Sequence, residues 1–181
     1  MVESQISKVG VISDLLFESQ MYIRKIEGPQ SVSLRDVRRA IKLILWFHKS
    51  LQERLNLKEQ KKKKTGYYYY DEGYNYPPKD KYFYERCIVL SLGLCYQARL
   101  YDQDEREEYR KQMARIFEKH KVRLTAEDFQ RYLKAEQNDW IRRMARPPAT
   151  ALNEALLENV LVMIACIMTR IPVFIIGAPG R

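Results

Sequence analysis

Cysteine and histidine are scarce in this 181-residue chain, with three and two copies. Cys87, Cys95 and Cys166 have no metal-ligand spacing and sit in apolar helical stretches, which fits core thiols in a reducing compartment. His48 and His120 are far apart, with no ligand pattern near either, so no zinc site and no metal ligand are expected. The first residues are polar and lack the basic start and apolar block of a secretory signal. Long apolar runs are missing too. The longest, Val160 to Met168, is bounded by Glu158-Asn159 and Thr169-Arg170. A membrane-spanning helix needs about 20 apolar residues. The run is therefore expected to be a buried helix, with no transmembrane segment, and the chain reads as cytoplasmic.

What is present is 46% hydrophobic and 30% charged, enough for one domain or two small ones with a sizeable core. The 32 Lys and Arg against 23 Asp and Glu give +9, which raises nucleic acid or anionic lipid as partners. Four of those charges form the run Lys61 to Lys64, and others alternate with acids along helices. The excess is read as a solvated tail plus helix surfaces, and nucleic acid is not the expected partner.

Residues 5 to 26 carry apolar positions at helical spacing, ended by Gly28-Pro29. Ser33 and Asp36 have the spacing of an N-cap and capping-box pair. Behind them Leu34, Val37, Ile41, Ile44/Leu45, His48, Leu51 and Leu55 make one apolar stripe, of the kind that faces a core. The pattern predicts a helix from near Leu34 to near Leu57. Arg35 lies in its first turn, where the macrodipole disfavours a cation. It is read either as a surface arginine, solvated or paired with Asp36, or as a cation held to touch a phosphate delivered from elsewhere.

Between Lys58 and Lys81 the composition turns to low complexity, with Lys61 to Lys64, Tyr67 to Tyr70, Tyr74, Tyr76 and Pro77-Pro78. Its Gly and Pro positions prevent a continuous helix. A basic run beside six tyrosines could clamp a single nucleic-acid strand; a solvated linker is the preferred reading. Tyr82 to Tyr101 predicts a buried helix. Asp102 to Arg106 marks a helix start, and Thr125 with Asp128 opens a further helix. Asp104, Glu105, Glu107, Glu108, Glu127, Asp128, Glu136 and Asp139 are read as solvated ion pairs on exposed faces. Pro147-Pro148 end that helix, and Thr150 or Asn153 can cap the next.

At the far end, the apolar run Val173 to Ile176 is long enough for a strand buried on both faces. It breaks into Gly177-Ala178-Pro179-Gly180, a tight-turn composition. A buried strand followed by a Gly-rich turn is how a phosphate-binding loop begins, because bare N–H groups can ring an anion. The Lys and Ser or Thr that complete such a loop are not reached by Arg181. By itself the four-residue turn is common to many folds.

Two separated stretches resemble one family. Ser33 to Phe47 resembles the Ser-Leu-Arg-Asp-Val helix in the helical lid of the AAA+ modules of mysterin, a giant ubiquitin ligase with a dynein-like core. Leu152 to Gly180 resembles the approach to a mysterin Walker A motif of the form Gly-x-Pro-Gly-x-x-Lys-Ser. The resemblance covers about a quarter of the chain. It implies a mainly α fragment: a helical lid-type bundle and helical linker, with one C-terminal β-strand leading into a truncated phosphate-binding loop. The implied organisation is a lid-like region at 1–57, the Lys/Tyr-rich linker at 58–81, a helical region at 82–147 and the start of the next AAA+ module at 148–181.

Arg35 would be the lid's γ-phosphate sensor, and Gly177, Ala178, Pro179 and Gly180 half of the following cradle. Ala178 departs from the Lys expected there, a mild change because backbone does the binding. Arg181 stands where a small residue is usual. ATP and Mg²⁺ would be cofactors of the parent protein, completed by nothing in this chain alone. Neighbouring AAA+ modules and the ubiquitin machinery would be its partners, and the isolated chain would not turn over ATP. A helical protein-interaction module without nucleotide, and a Tyr-rich nucleic-acid binder acting through Lys61 to Tyr76, are the alternatives.

Overall fold

The computed structural model describes the backbone at residues 2–65, 76–145, 147 and 150–174, and side chains over the same stretches except 2–8 and 61–65. Six helices follow in order: α1 (Val2–Glu27), α2 (Leu34–Thr65), α3 (Phe83–Cys95), α4 (Gln103–Lys119), α5 (Ala126–Arg143) and α6 (Glu154–Thr169), with a 3₁₀ turn at Gln97–Arg99. Short polar side chains start four of them. Ser33 Oγ accepts from the Arg35 N–H at 3.2 Å while the Asp36 carboxylate takes the Ser33 N–H at 2.8 Å. Asp102 caps α4, Thr125 and Asp128 form a reciprocal capping box on α5, and Asn153 accepts from the Leu156 N–H at 2.8 Å. Each cap satisfies otherwise orphaned donors and contributes about 1 kcal/mol.

The short, apolar α3 is the axis. Its residues Arg86 to Gly93 are all buried, because α1, α2 and α5 pack around it. Helix α4 lies on α1 and α5, and α6 on α5 and α2. One apolar cluster runs from Val11 through Phe47, Leu90, Phe117 and Phe129 to Ala165. Polar ties cross it. Ser91 Oγ donates to the Ala40 carbonyl at 2.6 Å, and the Ser19 and Tyr109 hydroxyls lie 2.8 Å apart. Helices α3 and α5 approach closely at Gly93, where an added Cβ would stand 2.4 Å from a Leu133 methyl. A glycine here lets α3 and α5 meet.

Helix α2 departs from expectation in two ways. It runs to Thr65 rather than ending near Leu57. Lys, Glu and Gln are good helix formers, and no Gly or Pro intervenes before Gly66. The buried face is also rotated. Ala40, Leu43, Phe47, Leu51 and Leu55 enter the core, whereas Leu34, Ile41 and Leu45 of the sequence-read stripe stay exposed.

The expected C-terminal strand is not there, and no strand occurs among the described residues. After α6 Arg170 takes the left-handed conformation, φ 54° and ψ 42°, and the Ile171 N–H returns to the Cys166 carbonyl at 2.9 Å. Ile171 tucks against the core, and 171–174 then run as coil with Phe174 89% exposed. A strand buried on both faces needs ladder partners for its backbone, and none of the described residues supplies one. The mainly α reading stands, and the strand is withdrawn. Residues 175 and 176 of that run lie outside the described residues. Among the described helices none is long and apolar enough to cross a membrane.

Candidate functional site

Arg35 sits on a firmly held mount. The turn from Gly28 to Ser33 reverses the chain, with Gly28 at φ 100°. Gln20 of α1 donates to the Ser33 carbonyl at 3.1 Å. From the 3₁₀ turn, Arg99 donates to Glu27 at 2.6 Å and to the Ser31 carbonyl at 2.8 Å, and lies 3.9 Å from Asp36. Asp36 also meets Arg39 at 3.3 Å. The local acid is therefore engaged by Arg39, Arg99 and the cap, and no described carboxylate pairs with Arg35. Arg35 is exposed in the first turn of α2. The other nominated residues, Gly177, Ala178, Pro179 and Gly180, lie outside the described residues, so their placement relative to Arg35 is not described.

A second constellation escaped the sequence reading. Arg54 of α2 reaches the carboxylates of Glu136, at 2.7 Å, and Asp139, both on α5. Read as solvated, these two acids are in fact buried. Trp140 donates its indole N–H to Glu136 at 2.7 Å, Arg143 meets Asp139 at 2.9 Å, and Arg54 lies over the Tyr76 and Trp140 rings. Burial pulls the Arg54 guanidinium down, but Glu136 and Asp139 outweigh it and hold the group above its ordinary range. Burial, with Glu136 adding to it, pushes the Tyr76 phenol well above 10. Burial pulls the Lys58 ammonium down, and this group donates to the Pro77 carbonyl at 3.4 Å. The cluster fastens α2 and the 76–80 segment to α5. The one hint in the sequence is Glu136 and Asp139 flanking the α5 stripe one turn before Trp140 and Arg143; Arg54 is too distant in sequence to be linked to them by spacing.

Elsewhere the reactive groups are quiet. Burial pushes the Cys87 and Cys95 thiols up to about 12 and raises Cys166 as well, so none is a ready nucleophile. His120 contacts Asp14 at 2.9 Å, and His48 stacks on Tyr84. Among the described residues no three His, Cys, Asp or Glu groups stand together as a metal site.

Comparison with known proteins bears on this arrangement. Residues 149–181 match the family model described as the RNF213 AAA domain. Over 176 residues, 94% of this chain, human E3 ubiquitin-protein ligase RNF213 is 34% identical. The chain is mysterin-like (RNF213-like). The mouse protein of the same name is 34% identical over 177 residues, 96% of the chain, and zebrafish E3 ubiquitin-protein ligase rnf213-beta is 29% identical over 179 residues, 94% of the chain. The mysterin-like chain spans only 3% of the length of each of these relatives. No solved structure matches it. The similarity runs through the helical region that no motif placed, from α3 to α5, as well as through the two stretches that carried the resemblance.

Proposed function

We propose that this chain bridges two AAA+ modules of a mysterin-like ATPase and ubiquitin ligase. Residues 1–57 form the lid-like part of the preceding module, and 148–181 open the next. The Lys/Tyr-rich stretch 58–81 and helical region 82–147 lie between. The observation that carries this reading is the order of the matches. The AAA-domain similarity begins at Ala149, downstream of a helical region that is itself similar to RNF213 throughout.

In this reading the exposed Arg35 approaches the γ-phosphate bound by the preceding module, and its mount on α1 and the 3₁₀ turn transmits nucleotide state to the bundle. Gly177, Ala178, Pro179 and Gly180 supply backbone N–H groups to the next triphosphate. ATP and Mg²⁺ belong to the assembled parent, where the metal neutralises developing phosphoryl charge. Phosphoryl transfer also needs a phosphate-binding Lys and a positioned water, so the 181-residue chain by itself does not hydrolyse ATP. Ubiquitin transfer, like ATP turnover, is an activity of the parent, in the cytoplasm.

The test is Arg35→Ala in the full-length protein. ATP turnover is expected to fall roughly tenfold, about 1.4 kcal/mol of lost transition-state stabilisation, with the fold intact because Arg35 touches no core. Unchanged turnover would remove Arg35 from the site. Reading the coding sequence past Arg181 tests the other half, with Lys followed by Ser or Thr expected within a few codons.

A further inference from the structure

We propose that the outer face shared by α1 and α2 is a docking site for an amphipathic helix whose flanks are acidic. The apolar stripe at the start of α2 is left uncovered: Leu34 is 78% and Leu45 66% exposed, with Ile41 between them. Phe17, 62% exposed, and Met21 continue the apolar surface on α1. Few α1 residues touch α2, since α1 packs chiefly on α4 and α2 on α3, and the seam between them is hollow. One recess of about 320 Å³ is lined by Leu16, Phe17, Met21, Leu34 and Val37. A second of about 310 Å³ is lined by Val11, Ile12, Ile44, His48 and Ile88, among others.

Spacing fits a helix. From Val37 to His48 along α2 is roughly 16 Å, and from Ile12 to Phe17 or Met21 along α1 roughly 8–14 Å, at 1.5 Å per residue. Side chains at i and i+7 of a docked helix stand about 10.5 Å apart, so a three-turn helix can place one anchor in each recess, as groove-bound helices do.

Charge selects the occupant. Arg35, Arg38 and Lys42 line the α2 flank, and no described carboxylate pairs with any of them. Asp36 is already engaged by Arg39 and Arg99. A second copy of this chain would bring +9 against +9. A bilayer offers no side chain to fill a recess, whereas Leu34 and Phe17 here rim one that an inserted side chain would fill.

The test titrates the 181-residue chain, without nucleotide, into a labelled synthetic helix of about 18 residues with Leu at i, i+3, i+4 and i+7 and Glu between. A Lys-for-Glu version and phosphatidylserine vesicles run in parallel. Micromolar binding of the acidic helix is expected, at least roughly tenfold tighter than the basic one and weakening with salt. Ile41→Ser with Leu45→Ser should lose roughly tenfold while melting unchanged, and Arg38→Glu with Lys42→Glu should reverse the charge preference. Equal binding of both helices, no binding, binding to vesicles alone, or a dimer that hides Leu45 would each overturn the proposal. Because the assay holds no ATP and leaves Arg35 intact, its failure is separate from failure of the nucleotide reading.

Discussion

Arg54 and Glu136, 82 residues apart, meet at 2.7 Å with the Glu136 side chain wholly out of solvent. A buried ion pair adds little over a well-packed apolar pair, but losing one partner strands a charge. Glu136→Ala is therefore expected to destabilise the fold by about 3–5 kcal/mol, and Glu136→Gln by less, since the amide oxygen can still accept from Trp140. Replacing Arg54 by Met together with Glu136 by Leu should cost clearly less than the sum of the single changes. Urea denaturation of the four proteins, read as a double-mutant cycle, checks the non-additivity.

Gly93→Ala sets two effects against each other. Alanine gains about 1 kcal/mol of helix propensity, while the new methyl displaces buried Leu133 at a cost of about 1–3 kcal/mol. Net destabilisation is expected, and Leu133→Ala added to Gly93→Ala should lessen the penalty of the alanine at 93. Thermal melts of the single and double variants distinguish this from a simple propensity gain.

Arg170→Gly should move stability the other way. Position 170 closes α6 in the left-handed region, where an L side chain is disfavoured and glycine is not. A gain of about 0.5–1 kcal/mol is expected, visible as a higher urea midpoint with an unchanged slope.

Alkaline pH should unfold the chain. Burial raises Cys87 and Cys95 from 9.0 to about 12, and Tyr109 and Tyr76 well above 10. These groups stay protonated when folded, whereas in the unfolded chain thiols ionise from about pH 9 and phenols from about pH 10. Their contribution is full below pH 9 and declines as pH rises toward and past 12. Urea midpoints measured from pH 8 to 11 should fall, and Ellman's reagent at pH 8 should label the cysteines fast only after denaturant is added.

How much of this could be read from residues alone varies by element. The starts of α2, α4, α5 and α6 were legible because Ser33, Asp102, Thr125 and Asn153 act on N–H groups two or three residues away. The buried character of α3 was legible because its apolar residues cover every side. The working face of α2 was not, since two apolar stripes both have helical spacing and only the neighbouring helices decide which is covered. Glu136 and Asp139 looked solvated because their partner arrives from 82 and 85 residues earlier. The run at Val173 looked like a strand because local pattern cannot supply the neighbouring strands a sheet requires.

Arg99 holds the junction of α1 and α2 at three points, on Glu27 at the end of α1, the Ser31 carbonyl in the turn and Asp36 in the first turn of α2. Arg35 thus takes its aim from a residue 64 positions later in the chain. If Arg35 has the phosphate-sensing role proposed for it, damage at Arg99 would mimic the loss of Arg35 with that arginine still in place, and variants at the two positions should be scored together.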